Sequence, residues 1–297
     1  MNGTTPSNAA LARELTVVVR SIGERTTEAC LYLLRRELPA ANIELVKNIP
    51  FDQAVRRTFE LGLASGRPWV LALDSDMLLR PSALARMVEA ARAQPENVFA
   101  LWTMALDKAF RVYRPVGMHL YRASLLARAR EMSEGRDLAG SLRPESAMVE
   151  AMLDSGFLAA QTGIVVGLHD YEQAYRDLIK KACVHARKHR DMVGRLRPVW
   201  RGLAEQDPDF VALLRGADFG EMYAGEIGIN HFQLSRLTEK VLEEFGRPEK
   251  APFEPAADLP EKVEATLAAM DVHPDRLRLQ PQIFPETIWN RLDGKVA

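Results

Sequence analysis

Three times within residues 15–94 a short apolar run gives way to an amphipathic stretch of helical spacing. "LTVVVRSI" (15–22), "NIELVKNI" (42–49) and "PWVLALDSD" (68–76) carry the aliphatic and β-branched residues of buried strands. "ERTTEACLYLLRREL" (24–38), "FDQAVRRTFELGLASG" (51–66) and "RPSALARMVEAARAQ" (80–94) space their apolar side chains for one helix face. Thr26 or Thr27 is placed to cap the first helix and Pro39 to end it. Ser65-Gly66 closes the second, and Pro81 falls in the first turn of the third. This alternation predicts an α/β fold with a mostly parallel sheet flanked by helices.

Beyond residue 97 the pattern loosens. "NVFALWTMAL" and "LAAQTGIVVGLHD" (158–170) read as strands, "RVYRPVGMHLYRASLLARARE" as strand, loop and helix, and "RPESAMVEAMLDSGF" (143–157) as a helix. From 171 the chain is mostly helical, with a Pro-rich connector at 246–262, one more short helix and an irregular tail. Residues 1–14 read as a flexible lead-in. At 297 residues, 47% of them hydrophobic, the chain is long enough to bury a core of this kind. The four tryptophans, Trp69, Trp102, Trp200 and Trp289, are scattered and read as packing residues.

A net charge of −1 argues against a nucleic-acid partner. No run approaches the roughly 18 apolar residues of a membrane span, and the N-terminus lacks the pattern of a signal peptide. Cys30 and Cys183 are far apart and lack metal-ligand spacing, so no disulfide framework is expected. A cytoplasmic location is the expectation from these features.

Ligands of parallel sheets bind beyond the carboxyl ends of the strands, where Asp74-Ser75-Asp76 sits. Carboxylates at n and n+2 of a strand share a face. Such a pair can hold one hard divalent cation, Mn²⁺ or Mg²⁺, together with substrate phosphates. The plainer alternative is two solvated acids at a strand end, with Asp76 capping the next helix.

Three segments resemble a known family: "VVVRSIGERT" (17–26), "FELGLASGRPWVLALDSDMLLRPSAL" (59–84) and the later "RPESAMVEAMLDSGF". They are similar to the GT-A glycosyltransferases, above all the inverting family 2 group. The resemblance implies a GT-A-like nucleotide-binding catalytic domain over 15–170, followed by a C-terminal helical region over 171–297. It implies a nucleoside-diphosphate-sugar donor, with Asp74 and Asp76 on the metal and Asp74 and Ser75 against the sugar nucleotide. Arg20, Glu24 and Arg25 follow the first strand, where the nucleotide of such enzymes lies. His169 stands where the family carries a further metal or phosphate contact, though a lone histidine ending a strand fits equally. Gly117, His119 and Tyr121 fall in the wall between donor and acceptor. Glu145 is placed as the base for the acceptor hydroxyl, or as an ordinary first-turn glutamate.

Two departures matter. "IELVKNIPF" has no aspartate after the second strand, which leaves the base open. Glu145-Ser146 replaces the Glu-Asp of many inverting members, which leaves stereochemistry open. The acceptor is undefined among glycan, lipid and small molecule.

"KKACVHARKHR" (180–190) is the densest local charge. His185 and His189 have i, i+4 spacing, but the glutamate of H-E-x-x-H is missing. Attraction of a diphosphate, a phosphorylated acceptor or an anionic membrane surface is a second reading, and a solvated helix face is the favoured one. Self-association through the helical tail is also open. Two further classes compete with a transferase. One is a non-catalytic GT-A-like module, which the Glu145-Ser146 departure supports. The other is a haloacid-dehalogenase-type phosphohydrolase with Asp74 as nucleophile, which lacks its later acidic pair.

Overall fold

A computed structural model describes residues 8–134 and 144–270. Helix α1 (Asn8–Glu14) leads into strand β1 (Leu15–Ser21), helix α2 (Thr27–Arg35), β2 (Ile43–Lys47) and α3 (Phe51–Ser65). Strands β3 (Trp69–Asp74) and β4 (Met77–Leu79), helix α4 (Ala83–Arg92) and strands β5 (Val98–Asp107), β6 (Val112–Arg114) and β7 (Met118–Arg122) follow. Next come α5 (Leu126–Ser133), α6 (Pro144–Asp154) and β8 (Leu158–His169). The rest is helical: α7 (Tyr175–Lys188), α8 (Arg190–Leu203), α9 (Pro208–Met222), α10 (His231–Phe245) and α11 (Leu259–Ala268).

The strands form one sheet in the order β2-β1-β3-β7-β5-β8-β4, with β6 alongside β5. The α/β class is as expected, but the sheet is mixed rather than mostly parallel. β1 is parallel to β2 and β3, and β5 to β8. β7 runs antiparallel to β3 and β5, β6 to β5, and β4 to β8. The short links from β5 through β6 to β7 explain this, because a parallel return needs a crossover of a dozen or more residues.

Alternation along the strands sends side chains into two cores. Val17, Val19, Leu71 and Leu73 pack with Leu31 and Leu34 of α2 and Leu84, Met87 and Val88 of α4. Val18, Val70 and Ala72 face Val55 and Phe59 of α3 and Met148, Val149 and Met152 of α6. Each fully buried aliphatic side chain is worth about 1.5–3 kcal/mol, so both layers are heavily stabilised. A third cluster joins α7 to α10 around Ala109 and Phe110, and a fourth seats Leu259, Val263 and Leu267 of α11 on Leu78, Leu106 and Leu168.

Part of the expected flexible lead-in is helical. Residues 8–14 form α1, with Leu11 buried and Ala12 O accepting from Asn42 Nδ2 at 2.6 Å. Residues 1–7, Trp289 and the tail from 271 lie outside the described residues. Thr26 precedes α2 without a capping bond, because its hydroxyl donates to Ser75 O at 2.9 Å instead. The third expected strand, 68–76, stops two residues early, and an unexpected short strand follows it. β3 ends at Asp74, the chain turns at Ser75-Asp76, and β4 pairs with β8 at the opposite end of the sheet order. Helix α4 starts only after Ser82, whose φ is +62°. Among the described residues no helix is long and apolar enough to cross a membrane.

Candidate active site

β1 and β3 run in parallel with Arg20 opposite Asp74, so both side chains emerge at the carboxyl edge. Arg20 Nε donates to Asp74 Oδ1 at 2.8 Å, and Nη1 to Glu145 Oε1 at 2.9 Å. The same Glu145 oxygen accepts from the Tyr121 hydroxyl at 2.7 Å. His119, stacked on Tyr121, brings Nδ1 to 3.2 Å from Glu145 Oε2, an ion-pair distance without hydrogen-bond geometry. Burial alone would raise the Glu145 pKa, but Arg20 and His119 outweigh it and hold the carboxyl well below the usual range. Burial of Asp74 outweighs Arg20 and raises its pKa, although its side chain is 27% exposed.

Asp76 belongs to a different set. The turn after β3 and the pairing of Met77 with His169 carry it to the end of β8. There His169 Nε2 lies 3.6 Å from Asp76 Oδ2, and Lys181 Nζ donates to both Asp76 and Asp170. The parallel register of β5 and β8 sets Asp107 beside His169. Asp107 Oδ2 lies 2.9 Å from His169 Nδ1 and also accepts from Arg114 Nε at 2.7 Å. Phe110 N donates to Asp107 Oδ1 at 2.8 Å. This buried Asp107–His169 contact orients the ring and turns Nε2 toward Asp76, as carboxylate–histidine pairs do at metal sites. Desolvation alone would raise the Asp76 pKa, yet Lys181 and His169 bring it down. Desolvation wins at Asp170, whose pKa is raised against His169 and Lys181.

The two carboxylates of the D-x-D thus part company, Asp74 toward Arg20 and Asp76 toward Lys181. Strand alternation does not govern them, since the strand ends at Asp74. Asp76, His169 and Asp170 place one ligand-type atom each within 4.8 Å of one another. Asp76 Oδ1 and Asp170 Oδ2 are buried and accept no hydrogen bond. Two carboxylates and an imidazole with such open oxygens fit Mn²⁺ or Mg²⁺. The ammonium of Lys181 already bridges the same acids.

Asp74, Asp76, Glu145, His169 and Lys181 open on a cleft with two lobes of about 320 and about 300 Å³, while Asp107 and Asp170 are wholly buried behind it. Glu24, Asp74, Asp76, Lys181, Lys188 and His231 line both. Val46, Ile49, Phe51 and Ala54 give the first lobe an apolar wall near Arg20, His119 and Glu145. The second is walled by Arg114, His169, Lys180, His185 and His189. The basic helix, favoured above as a solvated face, therefore forms one side of the cleft. Its partners on other elements are invisible in local charge spacing.

Other expected residues fall beside the cleft. Ser75 is buried beneath it, its hydroxyl donating to Glu24 Oε2 at 2.7 Å. Glu24 Oε2 also accepts from Ser21 Oγ and Ile22 N, which fixes the loop after β1. Burial raises the Glu24 pKa to about 6. Arg25 turns away and donates to Ala251 O and Glu172 O at 2.7 and 2.8 Å, holding the Pro-rich connector. Gly117 has φ +70° and receives the Asp74 N–H at 2.8 Å, and a Cβ there would lie 2.7 Å from Met77 Sδ. Tyr121 is wholly buried behind His119.

Sequence reasoning missed Asp107, Arg114, Asp170 and Lys181. An aspartate closing the all-apolar "VFALWTMALD", and the second acid of "HD", were the available signals.

No family profile matches the sequence, and no curated protein matches it. Solved structures of similar shape include a glycosyltransferase involved in glycosylation of the major capsid of PBCV-1. It is 12% identical over 51% of this chain and 80% of that one, with a TM-score of 0.34. A cytidylyltransferase from Leptospira borgpetersenii is 12% identical over 50% and 75%, at 0.35. The 4-diphosphocytidyl-2C-methyl-D-erythritol synthase of Anaerococcus prevotii is 13% identical over 51% and 89%, at 0.37. Likeness at this level carries no inference about chemistry.

Proposed function

We propose that the chain is a metal-assisted glycosyltransferase that takes its sugar from a nucleoside-diphosphate donor. The observation that carries this reading is the Asp76–His169–Asp170 group, in which two buried carboxylate oxygens accept no hydrogen bond and Asp76 and His169 line a cleft walled by α7. A divalent cation held by these three residues would neutralise charge developing on the departing diphosphate. The apolar wall of Val46, Ile49, Phe51 and Ala54 suits a nucleoside, and Lys181, Lys188 and His231 suit its phosphates. Arg20, locked between Asp74 and Glu145, holds the floor of that lobe rigid.

Glu145 is not assigned the acceptor's proton. Its lowered pKa and its bonds to Arg20 and Tyr121 make it a poor base and a good anchor. The ion pairs of Asp74 with Arg20 and of Asp76 with Lys181 favour a second reading, a binding module without turnover.

Calorimetric titration of UDP, GDP, CDP and TDP with and without Mn²⁺ tests the first reading. Metal-dependent binding of at least one nucleotide, lost in Asp76→Asn, is the expected result. Binding of none of them would overturn it. Release of sugar from a bound donor would then set the enzyme apart from the module.

A further inference from the structure

Lys181 occupies an unusual place for a lysine. Its Nζ donates to one oxygen of Asp76 and one of Asp170, two members of the only three-residue metal-type group among the described residues. The remaining oxygens of those same carboxylates accept no hydrogen bond, although Asp170 Oδ2 lies 3.3 Å from His169 Nδ1. The side chain is 29% exposed and lines both lobes of the cleft, so it reaches solvent as well as the acids. Its backbone, in contrast, is fixed. α7 packs on α9 so closely that a Cβ on Gly216 would lie 2.3 Å from Ile179 O, and one on Gly220 2.5 Å from Cys183 O. Any change at this position is therefore a side-chain movement on a rigid helix, which a flexible four-carbon stem permits.

An ammonium and a divalent cation on the same two carboxylates repel one another, and the closeness of the group leaves them little separation. A diphosphate entering the cleft offers the ammonium a new anionic partner.

We propose that Lys181 is a tethered counter-cation that competes with the metal for Asp76 and Asp170 and passes to the diphosphate when the donor binds. This rests on the cleft being a nucleotide-sugar site, as proposed above. It makes metal and diphosphate binding interdependent: metal alone binds weakly, and the diphosphate strengthens it by drawing Lys181 off the carboxylates. The same ammonium then contacts the donor's phosphates, which makes Lys181 a donor-binding residue.

The test is Mn²⁺ affinity, read by electron paramagnetic resonance of the free ion, for wild type and Lys181→Met. Each is titrated with and without inorganic pyrophosphate, affinities being taken after subtraction of the Mn²⁺–pyrophosphate complex measured without protein, and circular dichroism verifies the fold. Wild type is expected to bind Mn²⁺ at least about tenfold more tightly with pyrophosphate than without it. Lys181→Met is expected to bind Mn²⁺ alone at least about tenfold more tightly than wild type and to lose most of the pyrophosphate effect. Equal or weaker Mn²⁺ binding by the variant overturns the proposal while leaving the cation site standing. If the variant does not fold, the wild-type comparison decides, and no tightening by pyrophosphate overturns the proposal. Failure of wild type to bind Mn²⁺ even with nucleoside diphosphates overturns the functional reading itself and this inference with it.

Discussion

Asp107, which the sequence did not single out, ties three partners together at the end of β5. It is wholly buried, holds Arg114 and the N–H of Phe110, and orients His169. Desolvation would raise its pKa, but Arg114 and His169 drive it far below the usual carboxylate range. Removing one partner of a buried pair leaves the other charge uncompensated. Asp107→Ala should therefore cost about 3–5 kcal/mol in urea unfolding, and nitrogen NMR should show the His169 Nδ1 resonance shifting as it loses that carboxylate. Glu145 gives a pH prediction at the same scale. Its folded pKa lies below the ordinary glutamate value of 4.5, so its contribution is present above that value and is lost as pH falls through the folded pKa. Glu145→Gln should flatten the loss of stability on acidification below about pH 4.5, measured by urea midpoints along the pH axis. Asp107 escaped the sequence reading because its partners Arg114 and His169 come from other strands, and only register brings them together.

At the scale of elements, the strands and helices of residues 15–94 were legible because their periodicities are strong and local. Strand β4, between the third expected strand and its helix, was not. "DSDMLLR" carries no mark that Met77–Leu79 leaves its neighbour β3 and joins β8, since that depends on the length of β8. Helix α7 shows the same limit: its charge was visible, but the surface facing its charged side was not. Its depth against the cleft is set by α9, whose Gly216 and Gly220 admit the α7 backbone. Gly220→Ala should push the two helices apart, cost about 1–3 kcal/mol by thermal unfolding, and weaken nucleotide binding through displacement of Lys181 and Lys188.

The whole molecule joins a mixed sheet to a helical half that forms one wall of the cleft. The half after residue 170 is no appendage. α7 supplies Lys181, α11 seats on β4 and β8, and Arg80 binds Glu264 through two hydrogen bonds. The α/β class was readable from the alternation of apolar runs and helical stretches, and the D-x-D pointed to the sheet edge where the cleft lies. The antiparallel strands and the counter-charges were not, because they arise from long-range pairing. The most direct test is diffraction at the manganese edge from crystals soaked with Mn²⁺ and a nucleoside diphosphate. An anomalous peak within bonding distance of Asp76, His169 and Asp170, with the diphosphate beside it, is the predicted result. Nucleotide bound elsewhere, or no peak with Lys181 still bridging the two aspartates, would contradict it.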